Sequence, residues 1–249
     1  MIMTRPIDEF LSPTNPAAYS PLGTWLRGRE VLPPFLDLKN LSPSFEFGGF
    51  LGIEKSIVAF QSFRAQPQCL LLSWQRTHKY LSDALTLLGE EIPPNLDKEE
   101  SFWILNRLGF PPPACLPIYF FTSKDSTTEE IVYLGQTSSK TGRFKNGHLA
   151  CTKLLSPEFN EKEKLLYFCS VTLLTEDKKY LPLEWVSSSD DAKEILNSIE
   201  AQLICHFKPK LNVRFPEWVN VRFPISFHIQ NFSKCPQFLN DEIIFPQNK

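Results

Sequence analysis

Proline sets the strongest limit on the folds open to this chain, because 21 of its 249 residues are proline. A proline inside a helix removes a backbone hydrogen bond and clashes with the preceding turn, and inside a sheet it removes a ladder hydrogen bond. The prolines are spread along the chain and form a triple run at residues 111–113. The sequence therefore predicts short helices and strands joined by stiff loops, with the triple run as a candidate domain boundary.

The composition is that of a globular chain with enough apolar residues to form a core. Apolar residues make up 42% of the sequence and charged residues 22%, which fits one large domain or two small ones. The formal net charge of −2 counts against a surface that is basic throughout. Basic side chains nevertheless cluster in two stretches: Lys140, Arg143, Lys145 and Lys153, then Lys208, Lys210, Arg214 and Arg222. A nucleic-acid partner would therefore bind a local basic surface, since salt screens distant charges.

The six cysteines are widely spaced and form no C-x-x-C pair. Residues 1–10 carry Asp8 and Glu9, where a secretion signal would need an apolar run. No apolar stretch approaches the roughly 20 residues of a membrane-spanning helix. These features predict reduced thiols, a cytoplasmic location and no membrane partner, and the lack of paired cysteines and histidines argues against zinc.

Residues 1–112 are predicted to form a mostly helical N-terminal region of unknown role, with target recognition as one possibility. Residues 53–64 fit a short helix, and residues 98–108 fit a helix that Gly109 ends. Residues 69–88 give the clearest pattern, because apolar side chains recur every three or four positions before Gly89. His78 lies on the apolar side of that helix and is interpreted as a core or boundary residue, not a metal ligand.

The pattern changes after the prolines, and residues 113–212 are predicted to be a separate α+β domain. Residues 116–121 and 131–134 fit two strands of a hairpin. A helix over residues 140–155, a strand over 164–175 and an amphipathic helix over 189–207 follow, the last capped by Ser189 or Asp190. The order predicts a small, mainly antiparallel sheet flanked by helices. Residues 213–249, rich in aromatic residues and proline, are predicted to pack on this domain as an extension.

Several short motifs follow one another between residues 117 and 212. They are, in order, Pro117-Ile118-Tyr119, Tyr133-Leu134-Gly135 with Thr137, then Arg143, His148 and Glu200, and finally Pro209-Lys210-Leu211-Asn212. In their order, spacing and predicted secondary structure they resemble the GIY-YIG nuclease family. Pro117 stands where that family has glycine, and proline is compatible with the first residue of a strand.

The resemblance implies a metal-dependent endonuclease that hydrolyses phosphodiester bonds in DNA, with RNA not excluded, and leaves a 5′-phosphate and a 3′-hydroxyl. The implied cofactor is Mg²⁺ or Mn²⁺. Glu200 alone suffices as the metal anchor, because magnesium keeps water and phosphate oxygens as its other ligands. Tyr119 takes the role of general base, assisted by the metal. Restriction or defence is the pathway that this reading favours.

The resemblance gives four other residues catalytic roles. Tyr133 would orient water or phosphate, and Arg143 would bind the scissile phosphate through its planar guanidinium. His148 would assist proton transfer or hold a phosphate. Asn212 would support the site through hydrogen bonds.

Three further residues are predicted to contact nucleic acid. Gly135 would let the nucleic-acid backbone approach closely, because it has no side chain. Lys140 and Lys145 would contribute positive charge, and Lys145 is a candidate for the side of the leaving group.

Each matched residue also has a structural interpretation. Tyr119 and Tyr133 fit aromatic residues that pack across a hairpin, and Glu200 fits a solvated position on an amphipathic helix. Arg143 and His148 are five residues apart, whereas residues four apart share a helix face. Either the helix starts late or is irregular near Gly147, or His148 is not the family histidine. Two alternatives remain: a GIY-YIG-like fold that binds nucleic acid or protein without cutting, and an unrelated α+β interaction protein.

Overall fold

The structure, a computed structural model, describes residues 20–41, 47–65, 67–89, 95–139, 144–145, 148–213, 222–233 and 238–246. The helices in these ranges are α1 (Pro21–Leu26), α2 (Leu70–Leu88), α3 (Lys98–Leu108), α4 (Leu149–Lys153) and α5 (Ser189–Phe207). The strands are β1 (Phe47–Val58), β2 (Ile118–Lys124), β3 (Glu129–Gln136), β4 (Glu163–Leu174), β5 (Tyr180–Pro182), β6 (Ile225–Asn231) and β7 (Glu242–Ile244).

The strands form one sheet in the order β3-β2-β4-β1-β6-β7, with β5 paired to β4. Its pairs are antiparallel except for β1 with β6, which is parallel. The α+β class and the mainly antiparallel sheet are thus confirmed. The sheet is larger than predicted, because the described residues contribute seven strands to it.

The hairpin of β2 and β3 matches its prediction and sets the register of the candidate site. Tyr119 lies opposite Gly135, and Phe121 lies opposite Tyr133. The turn between the strands is held by Asp125, whose carboxylate accepts hydrogen bonds from the backbone N–H groups of Thr127 and Thr128. These bonds favour the ionised form and lower the pKa of Asp125 below its usual range.

The three long helices also match their predictions. Gly89 ends α2 in the left-handed conformation, with φ of 85°. Asp97 begins α3 and forms a reciprocal capping box with Glu100. The cap of α5 is Ser188, one residue before the predicted Ser189 or Asp190, because the Ser188 hydroxyl accepts from the backbone N–H of Asp191.

The helix predicted for residues 53–64 is wrong in its first half, because residues 53–58 belong to the central strand β1. Ile53, with no exposed surface, lies between β4 on one side and β6 on the other. Gly49 shows how tightly β1 is packed, since a Cβ there would lie 2.6 Å from Cε1 of Phe227. Only residues 59–64 are helical, as a 3-10 helix (Ala59–Arg64).

The sheet therefore crosses the boundary predicted at residues 112 and 113. β1 precedes that boundary and pairs with β4, which follows it. The predicted C-terminal extension does pack on this sheet, and it adds two strands that the sequence did not predict, β6 and β7.

The two sides of the sheet carry different layers. On one side, which we call the helix face, Ile118, Phe120 and Leu134 pack with the apolar side of α5. On the other, the tyrosine face, Tyr119 and Phe121 pack with the residues around α4. The alternation follows from the geometry of a strand, in which successive side chains point to opposite sides.

Of the helix predicted over residues 140–155, the described residues confirm only the part from 149 to 153. Phe144 and Lys145 form a turn, and α4 spans only Leu149–Lys153. The late start has a local cause, because His148 adopts an extended conformation and caps α4 with its side chain. The helix therefore starts late, after His148, and the assignment of His148 as the family histidine stays a prediction.

His78 is confirmed as a boundary residue of α2. Its ring stacks between Phe35, at 4.1 Å between centroids, and Trp74, at 3.8 Å. Burial lowers the pKa of His78, because it disfavours the charged imidazolium. Within the ranges that the structure describes, no helix has the length and apolar character needed to cross a membrane.

Candidate active site

Tyr119 and His148 form the centre of the candidate site. The Tyr119 side chain extends from β2 on the tyrosine face and has no exposed surface. Its phenolic oxygen lies 2.9 Å from Nε2 of His148. The second ring nitrogen, Nδ1, accepts a hydrogen bond from the backbone N–H of Ala150 at 3.1 Å. His148 is therefore fixed at both nitrogens, by the start of α4 on one side and by Tyr119 on the other.

These two bonds determine the tautomer of His148. A nitrogen that accepts a hydrogen bond from a backbone N–H carries no proton, so neutral His148 holds its proton on Nε2. Nε2–H then donates to the oxygen of Tyr119. His148 thus donates a hydrogen bond to the phenolic oxygen of Tyr119. Such a bond is stronger when the oxygen carries a negative charge.

Aromatic rings enclose the pair. The ring centroid of Phe144 lies 4.9 Å from that of Tyr119 and 5.3 Å from that of His148. Tyr133, half-buried on β3, has its ring centroid 5.3 Å from His148 and 6.2 Å from Tyr119. The structure therefore brings together three residues that the sequence predicted, Tyr119, Tyr133 and His148. Phe144 was not predicted, although its position between the predicted Arg143 and Lys145 was a signal.

Gly135 makes room for the phenol of Tyr119, directly across the hairpin. A Cβ at Gly135 would lie 2.5 Å from the phenolic oxygen and 2.7 Å from Cζ of the same ring. The sequence predicted that glycine here admits nucleic acid. Its structural role is to admit Tyr119, and contact with nucleic acid stays a prediction.

We expect Gly135→Ala to destabilise the protein by about 1–3 kcal/mol, because the rigid Tyr119 ring and the hairpin backbone must move apart. Chemical denaturation would measure the free energy of unfolding. Gly23→Ala on α1 is the matched control, since its Cβ would meet no atom closer than 3.7 Å. Equal stabilities of the two variants would contradict the role given to Gly135.

Asn212 supports the site through its contact with the edge strand β3. Its side-chain oxygen accepts from the N–H of Leu134 at 2.9 Å, and its amide N–H donates to the Leu134 carbonyl at 2.9 Å. Next to it, the N–H of Leu211 donates to the carbonyl of Val132. The Lys153 ammonium, from α4, donates to the Leu211 carbonyl. Residues 211 and 212 therefore close part of the β3 edge and tie it to α4.

Glu200 lies on a helix that packs on the other side of the sheet. It is half-buried on α5, and the apolar residues of α5 pack on the helix face. Asn197 lies one turn earlier on the same side of α5, and its oxygen accepts from Nε2 of Gln136 at the end of β3. Glu200 therefore lies on the side of α5 that borders β3. The predicted meeting of Glu200 with Tyr119 and Tyr133 requires the carboxylate to reach around the β3 edge, and it stays a prediction.

The structure describes only one of the three basic residues predicted near the site. Lys140 and Arg143 lie outside the described residues. Lys145 is exposed and directly follows Phe144, which contacts Tyr119. In the described part of the chain, no group of three or more His, Cys, Asp or Glu side chains is arranged to hold a metal ion. A Mg²⁺ ion at this site would thus depend on one carboxylate together with water and phosphate oxygens, which is within its ordinary coordination chemistry.

Comparisons with known proteins add no relative: no protein-family model, no curated protein and no solved structure matches this chain.

Proposed function

We propose that this chain is a metal-dependent endonuclease that hydrolyses phosphodiester bonds, with DNA as the substrate and the Tyr119–His148 pair at the catalytic centre. The observation that carries the proposal is the 2.9 Å contact between these two side chains. This contact joins Tyr119, the first tyrosine of the GIY-YIG-like motif, to His148, whose place in the motif the sequence left open. Tyr133 contacts the same histidine ring, so three motif residues share one cluster.

In the proposed reaction, Tyr119 is the general base. As a phenolate, it accepts a proton from a water molecule, and the resulting hydroxide attacks phosphorus. The bond from phosphorus to the leaving oxygen breaks, and this leaves a 5′-phosphate and a 3′-hydroxyl once the leaving oxygen has taken up a proton. A general base in position contributes a rate factor of about 10²–10⁴. His148 Nε2–H holds and stabilises the phenolate oxygen, so its role is positioning and electrostatic support.

The remaining groups act on the phosphate. Glu200 would hold the divalent cation, which supplies charge neutralisation at the phosphoryl oxygens and favours deprotonation of water. Tyr133, half-exposed beside His148, would orient the water or a phosphate oxygen. Lys145, exposed next to Phe144, would neutralise charge on the leaving oxygen.

A second candidate function is nucleic-acid binding without cleavage. The observation in its favour is that Tyr119 has no exposed surface, whereas a general base must reach its water molecule. In that case the Tyr119–His148 pair would be a buried polar contact that stabilises the tyrosine face.

Incubation with supercoiled plasmid tests the two functions. We expect nicked and linear products with Mg²⁺ or Mn²⁺ and none with EDTA, since the reaction needs the cation. End-mapping should find 5′-phosphate and 3′-hydroxyl termini, and parallel reactions with single-stranded DNA and RNA define the substrate. Plasmid that is retarded on a gel but uncut under all metal conditions would support nucleic-acid binding without cleavage instead.

A further inference from the structure

The 3-10 helix Ala59–Arg64 presents a row of exposed aromatic side chains. A 3-10 helix has three residues per turn, so side chains three apart lie above one another. Ala59 and Ser62 form the inner row and are buried. Phe60 and Phe63 form the next row, and they are 45% and 54% exposed. The three-residue repeat of this helix therefore puts two buried side chains on one side and two solvent-exposed rings on the next.

The inner row fastens the segment to the candidate active site. The Ser62 hydroxyl lies 3.4 Å from Sγ of Cys151, and that thiol lies 3.7 Å from the Ala59 carbonyl oxygen, to which it donates. Cys151 belongs to α4, which begins directly after His148. Ala59 also packs in the same apolar cluster as Tyr119. The two exposed rings are thus held beside the Tyr119–His148 pair, on the tyrosine face.

The charged residues nearest to the two rings along the chain are the basic Arg64 and Lys55. The next one, Glu54, accepts a hydrogen bond from the Ser170 hydroxyl on β4. The Arg64 guanidinium carbon lies 5.5 Å from the ring centroid of Phe63. Lys55 is exposed, and it lies opposite Phe168, a residue of the tyrosine face. Exposed rings interleaved with cationic side chains are the features with which proteins bind unpaired bases and the phosphates between them.

We propose that Phe60 and Phe63 are stacking platforms for unpaired bases of a nucleic-acid strand that runs across the tyrosine face, with Arg64 and Lys55 contacting its phosphates. This inference rests on the proposed nuclease function and assigns part of its substrate contact to the region before residue 112. Stacking against a ring does not depend on the base, so these contacts hold the strand beside the site without reading its sequence.

A second exposed aromatic pair in the chain has more acidic than basic neighbours. Phe102 and Trp103 on α3 are exposed, and the helix and its cap carry Asp97, Glu99 and Glu100 against Lys98 and Arg107. This excess of negative charge fits a phosphate backbone less well than the basic neighbours of Phe60 and Phe63 do. The pair has the same kind of side chains as Phe60 and Phe63 and supplies a control within the same molecule.

Binding measured without cleavage tests the proposal. A fluorescein-labelled oligonucleotide would be titrated in EDTA with the wild-type protein, the double variant Phe60→Ala/Phe63→Ala and the control Phe102→Ala/Trp103→Ala. Loss of base stacking is worth a factor of roughly ten or more in Kd, so we expect the first variant to bind single-stranded DNA at least about tenfold more weakly. The control should bind as the wild type does. A 2-aminopurine base in the oligonucleotide should lose fluorescence when it stacks on wild-type protein, and less so on the first variant.

The conservative variant Phe60→Tyr/Phe63→Tyr should restore binding, because it restores the rings. Circular dichroism and thermal unfolding would show that the alanine variant is folded, as expected for two exposed side chains. Equal binding by wild type and alanine variant would overturn this inference alone if the wild type still cuts. Wild-type protein that neither binds nor cuts would overturn the proposed function as well. A further outcome is that the wild type is a dimer and the alanine variant a monomer, with unchanged binding of the oligonucleotide. The two rings would then contact a second copy of the chain, and the stacking proposal would be overturned.

Discussion

Tyr119→Phe is expected to reduce the rate of phosphodiester cleavage by about 10²–10⁴-fold, because phenylalanine cannot accept a proton from water. The substitution removes one oxygen from a fully buried ring, so the aromatic packing with Phe144 is kept. The loss of the bond to His148 leaves a buried ring nitrogen without that partner and is expected to cost about 1–3 kcal/mol of stability. Initial cleavage rates on plasmid, measured at several enzyme concentrations, would give the change.

Tyr80→Phe is the matched control for that experiment. Tyr80 is also buried, and its hydroxyl donates to the Gly109 carbonyl at 2.8 Å, away from the candidate site. The same atom is therefore removed from a buried tyrosine in both variants. We expect Tyr80→Phe to cut at the wild-type rate. A similarly small change in cleavage rate in both variants would show that Tyr119 has a structural role, as in the second candidate function of binding without cleavage.

Glu200→Gln is expected to abolish detectable cleavage, since the amide has the shape of the carboxylate but not the charge that holds a divalent cation. Loss of an anchor on the metal should also raise the Mg²⁺ concentration needed for any residual activity. Cleavage measured across a Mg²⁺ titration would separate a weaker metal affinity from a lower maximal rate.

Glu194→Gln on the same helix is the control for Glu200. Glu194 forms an exposed ion pair with Arg222, and exposed pairs contribute only about 0–1 kcal/mol to stability. Both variants remove one negative charge from α5, so a general effect of charge would appear in both. Full activity of Glu200→Gln would remove the metal anchor from the proposed mechanism.

Local patterns predicted the elements that depend on local interactions. The hairpin and the helices α2, α3 and α5 were correctly located, because their apolar periodicity and their end residues, such as Gly89, act within a few positions. β1 was missed because its strand conformation depends on pairing with β4 and β6, which lie more than 100 residues away along the chain. A segment with β-branched and aromatic residues and several glycines fits a short helix or a buried strand until its partners are known.

The candidate site was predicted as a set of residues and not as an arrangement. Motif order identified Tyr119, Tyr133 and His148, which the structure brings together. The register of β2 against β3 was needed to see that Gly135 accommodates the Tyr119 phenol. The side of the sheet to which each helix packs was needed to see that Glu200 and Tyr119 start from opposite faces. Neither property can be read from the spacing of residues along the chain.

The hydrogen bonds that residues 211 and 212 make to Val132 and Leu134 have a consequence for association between molecules. An outer strand with free backbone groups is a template on which another chain can add a strand. On this part of β3, the carbonyl of Val132 and both backbone groups of Leu134 are already occupied. A strand of a neighbouring copy can therefore pair with β3 beside Tyr133 only if it displaces residues 211 and 212.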